Sequence, residues 1–199
     1  MQRHEGKEGE ESGTEKVRQT AKEVTETVKS AFTENVDSFD KLYWEEIEEM
    51  YDAENRIHEA LGTMAESAST PELREAFEEH RQKTDGQIRR LEEIFDHHGR
   101  EPERATCQGC KGLIDEGTMV INNTEACSIC DAAMIAAAQA IEHYEMAKYG
   151  TLCAYAERLG FSDDIDKLKT TLDQEKETDK KLSELAEDTI NPQAERESS

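Results

Sequence analysis

The chain has 199 residues with 3 Pro and 11 Gly, and 36% of its residues are Asp, Glu, Lys or Arg. Few helix breakers and many charged residues favour long helices over short strands. The formal net charge of −23 would repel phosphate backbones, so we expect no nucleic-acid partner. No apolar run approaches the roughly 20 residues that span a bilayer, so we expect no membrane partner and a cytoplasmic location.

Four long helical patterns follow a polar N-terminal segment. Residues 1–36 are predicted to form a polar tail that is partly helical or disordered. The helices are predicted to run from about Ser38 to Ser67, from Pro71 to just before Gly99, from about Asp131 to Leu159, and from Ser162–Asp163 to about Thr189. Because Asn191–Pro192 indicates a stop, residues 190–199 are predicted to be a disordered tail.

The lengths of the joints predict the topology. The joints at 68–71 and 160–163 are short, so each forms an antiparallel helix pair. The joint at 99–131 is long enough to run back along a helix of about 40 Å. The predicted fold is therefore all-α. Residues 38–189 would form a ferritin-like antiparallel four-helix bundle, with one long crossover between its second and third helices.

The heptad face of each helix is apolar at both ends and polar near its middle. Because the middles of antiparallel helices meet at one level, these polar side chains would be buried together. Burying five carboxylates would cost several kcal/mol per group unless cations neutralised them. Oxygen ligands with one imidazole suit iron or manganese, and zinc is possible. The predicted ligands of a dinuclear metal site are Glu54, His80, Glu142, Glu145, Glu175 and Asp179.

Residues beside these ligands have alternative interpretations. Thr84 and Gln87 would either hydrogen-bond to ligands or be ordinary polar residues of the helix interface. His143 points about 100° away from Glu142, so it is expected at an interface or beside a ligand. Tyr149 would be a core residue or would lie near the metals.

The stress-associated YciE/YciF family of ferritin-like proteins has similar segments. These are YDAENRI at 51–57, FEEHRQKT at 77–84, LIDEG at 113–117, AAMIAAAQAIEHYEMAKYGTL at 132–152 and LDQEKETDKKLSELAE at 172–187. The resemblance covers about residues 38–188 and implies a ferritin-like bundle with a two-metal centre, often as a homodimer. The family is commonly labelled ferroxidase-like. The resemblance thus implies iron oxidation, or reactions with dioxygen or peroxide, during oxidative or general stress.

The predicted ligand set departs from the wider ferritin pattern. Ferritin-like di-iron sites use a Glu-x-x-His pair on each of two helices, but no Glu-x-x-His occurs in this chain, and Phe77 precedes His80 at that spacing. The site would be rich in oxygen and poor in nitrogen. Substrate oxygenation by a di-iron centre is one hypothesis for its function, and there are two others. One is an oxidoreductase in which Glu142 and Glu175 bridge two metals. The other is a non-enzymatic stress factor, holding metal or binding protein, whose metal centre is structural.

Four cysteines in the crossover form the pattern C-x2-C-x16-C-x2-C: Cys107, Cys110, Cys127 and Cys130. This spacing predicts a four-thiolate zinc site that would tie the crossover to the third helix. Disulfides, rubredoxin-like iron and free thiols are the alternatives. Cys153 is predicted to be a buried small hydrophobe. The predicted cofactors are therefore two iron or manganese ions and one zinc ion.

Overall fold

The computed structural model describes residues 36–124 and 127–197, and these ranges contain helices and no strand. The helices are α1 (Phe39–Ser67), α2 (Pro71–His97), α3 (Gln108–Asn123), α4 (Ser128–Leu159), α5 (Ser162–Leu185), a π-helical turn (Ala186–Ile190) and α6 (Asn191–Glu197). The all-α prediction is confirmed. None of the described helices combines the length and apolar character needed to cross a bilayer. The predicted tail at 1–36 lies almost wholly outside the described residues.

Local signals set the ends of the main helices. Ser38 caps α1, and its Oγ accepts the N–H of Lys41 at 3.2 Å, which satisfies one of the free donors at the helix start. Pro71 opens α2 in its first turn. Gly160 ends α4 at a φ of 76°, a left-handed conformation that glycine adopts without strain. α4 begins at Ser128, three residues before the predicted start.

The hairpins α1–α2 and α4–α5 pack together through α1 against α4 and α2 against α5. Tyr43, near the start of α1, donates a hydrogen bond of 2.8 Å to Asp164, near the start of α5. Asp131, near the start of α4, accepts the backbone N–H groups of Ser69 and Thr70, which follow α1. α1 and α5 therefore run in one direction, and α2 and α4 run in the other. This is the predicted ferritin-like connectivity, and it brings the middles of all four helices to one level.

The crossover is more regular than predicted. The N–H of Ala105 donates to the carbonyl of Glu48 at 3.2 Å, so the chain runs beside α1 before α3 begins. α3 then packs against α1 and α4. The sequence did not predict α3 because three of its residues are glycine, which lowers helix propensity. At Gly109 packing requires glycine, since a Cβ there would lie 2.8 Å from a ring carbon of Tyr144.

The predicted disordered tail at 190–199 is wrong for Asn191–Glu197, which forms α6. Pro192 lacks an N–H but is tolerated in the first turn of a helix, and the π-helical turn before it separates α6 from α5. Ile190 is fully buried. Ser128 donates to the carboxylate of Glu197 through its N–H at 3.1 Å and its hydroxyl at 2.9 Å. α6 therefore docks on the start of α4.

Candidate metal centre

Five of the six predicted ligands meet at the middle of the bundle, and none of the five is more than 4% exposed. They form two groups in which candidate ligand atoms lie within 4.8 Å of one another. The imidazole group is His80, Glu142 and Glu175, and the carboxylate group is Glu54, Glu145 and Glu175. Glu175 belongs to both groups, so it is placed to bridge two ions. The expected second bridge, Glu142, belongs to one group only.

Each helix contributes through the polar middle of its heptad face. α1 carries Glu54, α2 carries His80 and α5 carries Glu175. α4 carries both Glu142 and Glu145, and residues three apart on a helix are neighbours on one face. The two groups are therefore stacked along the bundle, one beside each of these α4 carboxylates.

Many of the ligand atoms are buried without a hydrogen bond. They are both nitrogens of His80, both carboxylate oxygens of Glu145 and one carboxylate oxygen each of Glu54, Glu142 and Glu175. Nδ1 of His80 lies 3.4 Å from Oε1 of Glu142, and its Nε2 lies 3.7 Å from Oε2 of Glu175. Protein interiors rarely leave so many polar atoms unpaired. Four ionised carboxylates carry the charge that two divalent cations would neutralise, so the residues present fit a dinuclear site.

The environment opposes ionisation of three of these carboxyl groups. Burial raises the pKa of Glu54, Glu142 and Glu145 well above the ordinary value of 4.5. Charge repulsion adds to this rise, chiefly from Glu175 on Glu54 and Glu142 and from Glu54 on Glu145. The Arg90 guanidinium acts in the opposite direction on the pKa of Glu54, and the heptad pattern did not single out this arginine. Folding without metal therefore disfavours the ionised form of these three carboxyl groups.

Two buried side chains hold the ligands in place. The hydroxyl of Tyr149 donates to Oε1 of Glu54, and Nε2 of Gln87 donates to Oε1 of Glu175. Both contacts leave the second carboxylate oxygen unpaired. Thr84 instead donates to the backbone carbonyl four residues earlier in its own helix, at 3.1 Å. Of the alternatives left open by the sequence, Gln87 and Tyr149 thus contact ligand oxygens, whereas Thr84 contacts only the backbone carbonyl of the histidine ligand.

Asp179 lies outside both groups, contrary to the prediction. It accepts Nε2 of Gln139 at 3.0 Å and lies 3.4 Å from Nε2 of His143. Its side chain is 22% exposed. The four-residue step from Glu175 moves it about 6 Å along α5, to a level that solvent reaches. His143 is in neither ligand group, as its direction on the helix indicated.

The four cysteines do not come together, so the structure contradicts the predicted four-cysteine zinc site. Sγ of Cys107 lies 3.0 Å from the hydroxyl of Tyr144, whereas Cys130 lies in the first turn of the same helix α4, on the order of 20 Å away. Among the described residues, no group of three or more potential ligand atoms within 4.8 Å includes a cysteine. The reason is that residues 108–123 form the helix α3, which keeps the two cysteine pairs apart. The sequence had indicated a loop here that could bring them together.

A third group lies at one end of the bundle and was not predicted. Asp164 is fully buried, and its Oδ2 hydrogen-bonds to the hydroxyl of Tyr43 at 2.8 Å and to Nε2 of His98 at 2.9 Å. Nδ1 of His97 lies 3.5 Å from its Oδ1. This carboxylate ties α1, α2 and α5 together. The sequence did contain a signal for this group. His97–His98 stand at the end of α2, Asp163–Asp164 stand at the start of α5, and the topology places these two helix ends side by side.

Known proteins are similar to this chain in both sequence and fold. A family model described as a domain of unknown function, DUF892, matches residues 38–195. Protein YciF of Escherichia coli K12 is 39% identical over 162 residues, which are 81% of this chain and 98% of YciF. The crystal structure of the E. coli stress protein YciF matches with a TM-score of 0.75 at 38% identity, covering 78% of this chain and 99% of that chain.

A second solved structure is similarly close. YcfI of Rhodopseudomonas palustris, which has been put forward as a structural protein, matches with a TM-score of 0.73 at 36% identity. The match covers 76% of this chain and 97% of that chain. The chain therefore belongs to the DUF892 family and is a relative of the stress protein YciF.

Proposed function

We propose that this chain is a dinuclear metal protein that uses iron or manganese in the peroxide or dioxygen chemistry of a stress response. The observation that carries the proposal is the pair of buried ligand groups that share Glu175, in which seven ligand atoms have no hydrogen bond. One imidazole among carboxylates is a donor set that suits iron or manganese. The relationship to a stress protein of E. coli supports the stress context.

The imidazole group would hold one ion and the carboxylate group the other. When bound, iron or manganese supplies electron transfer to peroxide or dioxygen. The chain fixes its ligands through the hydrogen bonds from Tyr149 and Gln87, and such outer contacts orient carboxylates and raise metal affinity. Burial of every ligand side chain excludes bulk water, which strengthens electrostatic interactions and limits side reactions.

Metal analysis followed by oxidant consumption tests this proposal. Protein purified without added metal should contain two iron or manganese ions per chain. After anaerobic loading with Fe²⁺, it should consume peroxide or dioxygen faster than a Glu142→Ala, Glu175→Ala variant. Glu177→Gln, which removes an exposed carboxylate on α5, is the matched control and should retain full activity. Absence of metal would refute the proposed dinuclear site. Equal rates of oxidant consumption in wild type and the double variant would refute the proposed peroxide or dioxygen chemistry.

A second candidate function is a non-enzymatic stress factor whose metal centre is structural. The burial of all five ligand side chains favours it, since a closed site offers little access to large substrates. The structural role put forward for YcfI is in keeping with it. Metal at 100 times its Kd would stabilise the fold by about 2.7 kcal/mol. A chelator should then lower the Tm by several degrees while no oxidant is consumed, and an unchanged Tm would exclude this function.

A further inference from the structure

The first C-x-x-C pair, Cys107 and Cys110, lies beside the metal centre. Both side chains are fully buried. Cys107 is the N-cap of α3, and Cys110 lies in its first turn. Residues three apart on a helix have Cβ atoms about 5–6 Å apart, and a disulfide requires about 3.5–4.5 Å. A small closure of this turn would therefore join the two sulfurs.

A buried carboxylate fixes the start of α3. Asp52 accepts the backbone N–H of Cys107 at 3.0 Å. The same carboxylate accepts Nε of Arg56 at 2.6 Å and a nitrogen of Arg104 at 2.9 Å. Two arginines thus hold an acceptor that in turn holds the first cysteine, so the dithiol is attached to α1 and is not part of a free loop.

The thiols contact the residues that immediately precede two ligands of the carboxylate group. Sγ of Cys110 lies 4.0 Å from the carbonyl oxygen of Ala53, and Sγ of Cys107 lies 3.0 Å from the hydroxyl of Tyr144. Ala53 precedes the α1 ligand and Tyr144 precedes one of the α4 ligands. Gly109, between the two cysteines, packs so tightly on Tyr144 that a side chain there would collide with its ring. The dithiol and this ligand group therefore share two helices and the same level of the bundle.

The two sulfurs have unequal proton affinities. The hydrogen bond with Cys110, and a second with Tyr144, lower the pKa of Cys107 to about 7 although burial opposes the shift. The same hydrogen bond, burial and the charge of Glu145 raise the pKa of Cys110. Near neutral pH Cys107 is therefore partly thiolate while Cys110 stays a thiol, which is the combination that reacts in dithiol–disulfide chemistry.

We propose that Cys107 and Cys110 form an internal dithiol that supplies two electrons for the reduction of hydrogen peroxide at the metal centre. This inference rests on the proposed function. In the balanced reaction the two thiols give up two protons and two electrons, and a bond forms between their sulfurs. The O–O bond of one hydrogen peroxide molecule breaks, and two water molecules leave. The second pair, Cys127 and Cys130, lies at the far end of α4 and takes no part.

A peroxide titration tests the inference by stoichiometry. Two Fe²⁺ ions hold two electrons and the dithiol holds two more, so reduced, Fe²⁺-loaded wild type should consume two peroxide molecules per chain. A Cys107→Ser, Cys110→Ser variant should consume one. A Cys127→Ser, Cys130→Ser variant is the matched control and should consume two. Intact mass after alkylation should show the loss of two thiols in wild type, mapped by peptide mass to a Cys107–Cys110 disulfide. Half-buried Cys153 should stay reduced.

The outcomes separate this inference from the proposed function. Wild type that consumes one peroxide per chain and keeps both thiols would overturn the dithiol and leave the metal chemistry standing. Wild type that consumes none would overturn the proposed function and the inference with it. Disulfide formation should be about tenfold or more faster with iron than without, because the metal centre would hold the oxidant close. Equal rates would show that the dithiol is not coupled to the metal centre, which also overturns the inference.

Discussion

Replacing Glu145 by Gln should change stability in opposite directions in the metal-free and metal-loaded protein. Both of its carboxylate oxygens are buried without a hydrogen bond, and burial and neighbouring charge raise its pKa well above 4.5. Keeping this carboxyl protonated at pH 7 costs up to about 1.4 kcal/mol per pH unit above its ordinary pKa, or about 3 kcal/mol. An amide is neutral at every pH and has nearly the same volume, so Glu145→Gln avoids this cost.

The expected shift in melting temperature follows from this free energy. In a domain of this size 1 kcal/mol shifts the Tm by about 2–4 °C, so metal-free Glu145→Gln should melt about 6–12 °C above wild type at pH 7. The folded-state pKa is raised, so the contribution of Glu145 to stability is fully present below its unfolded pKa, near 4.5, and is lost as the pH rises. The advantage of the variant should therefore shrink towards pH 4.5. With metal bound, the substitution should instead lower the Tm, because the metal site formed by Glu54, Glu145 and Glu175 loses a ligand.

Thermal unfolding followed by circular dichroism at pH 5 and pH 7, with and without saturating Mn²⁺, measures these shifts. The control is Glu157→Gln, which removes an exposed carboxylate from the same helix and should change stability by no more than about 0.5 kcal/mol. The reasoning would be refuted if Glu145→Gln destabilised the metal-free protein at pH 7. It would also be refuted if the substitution had the same effect with and without metal.

Three further predictions concern the ligands and α3. Glu175→Gln should abolish binding of both ions while Glu142→Gln keeps about one, because only the former residue belongs to both groups; elemental analysis counts the ions. Tyr149→Phe should weaken metal binding about tenfold or more through loss of a hydrogen bond to a ligand, which chelator competition measures. Gly109→Ala should destabilise the protein by about 1–3 kcal/mol, because its Cβ would lie 2.8 Å from a tyrosine ring carbon. Gly112→Ala meets nothing within 4 Å and should stabilise α3 by about 0.5–1 kcal/mol, and urea unfolding compares the two variants.

Each of these has a contrary outcome. Equal ion counts in the two glutamate variants would show that no ligand is shared. Unchanged affinity after removal of the tyrosine hydroxyl would show that the hydrogen bond does not orient its ligand. If both glycine variants had the same stability, α3 would not pack against α4 as described.

The bundle and the level of the candidate metal centre could be predicted because both depend on heptad spacing. Glu54, His80 and Glu175 each interrupt an apolar face near its middle, and short joints make the helices antiparallel, so the level follows from geometry. The error at Asp179 has the same origin. Spacing alone cannot show which of two adjacent turns of α5 lies at the level of the ligand groups. The contacts of Asp179 with Gln139 and His143 place its turn outside that level.

The cysteines show what the sequence could not determine. Their spacing fits a zinc site as well as it fits two separate pairs, and the choice depends on whether residues 108–123 form a loop or a helix. Three glycines in this segment argue against a helix by propensity. Contacts with distant residues override that preference: Asp52 holds the start of α3 and Tyr144 packs on Gly109. Tertiary contacts of this kind cannot be read from local sequence.

The sharing of Glu175 between the two ligand groups has a thermodynamic consequence. The first ion to bind would neutralise the Glu175 carboxylate that the second ion also needs. The positive charge of the first ion would also repel the second. Binding should therefore be negatively cooperative, and by linkage the coupling free energy is the same whichever group fills first. A calorimetric titration with Mn²⁺ should show two separate steps in wild type. Glu142→Gln, which weakens the imidazole group alone, should leave a single step without the coupling penalty.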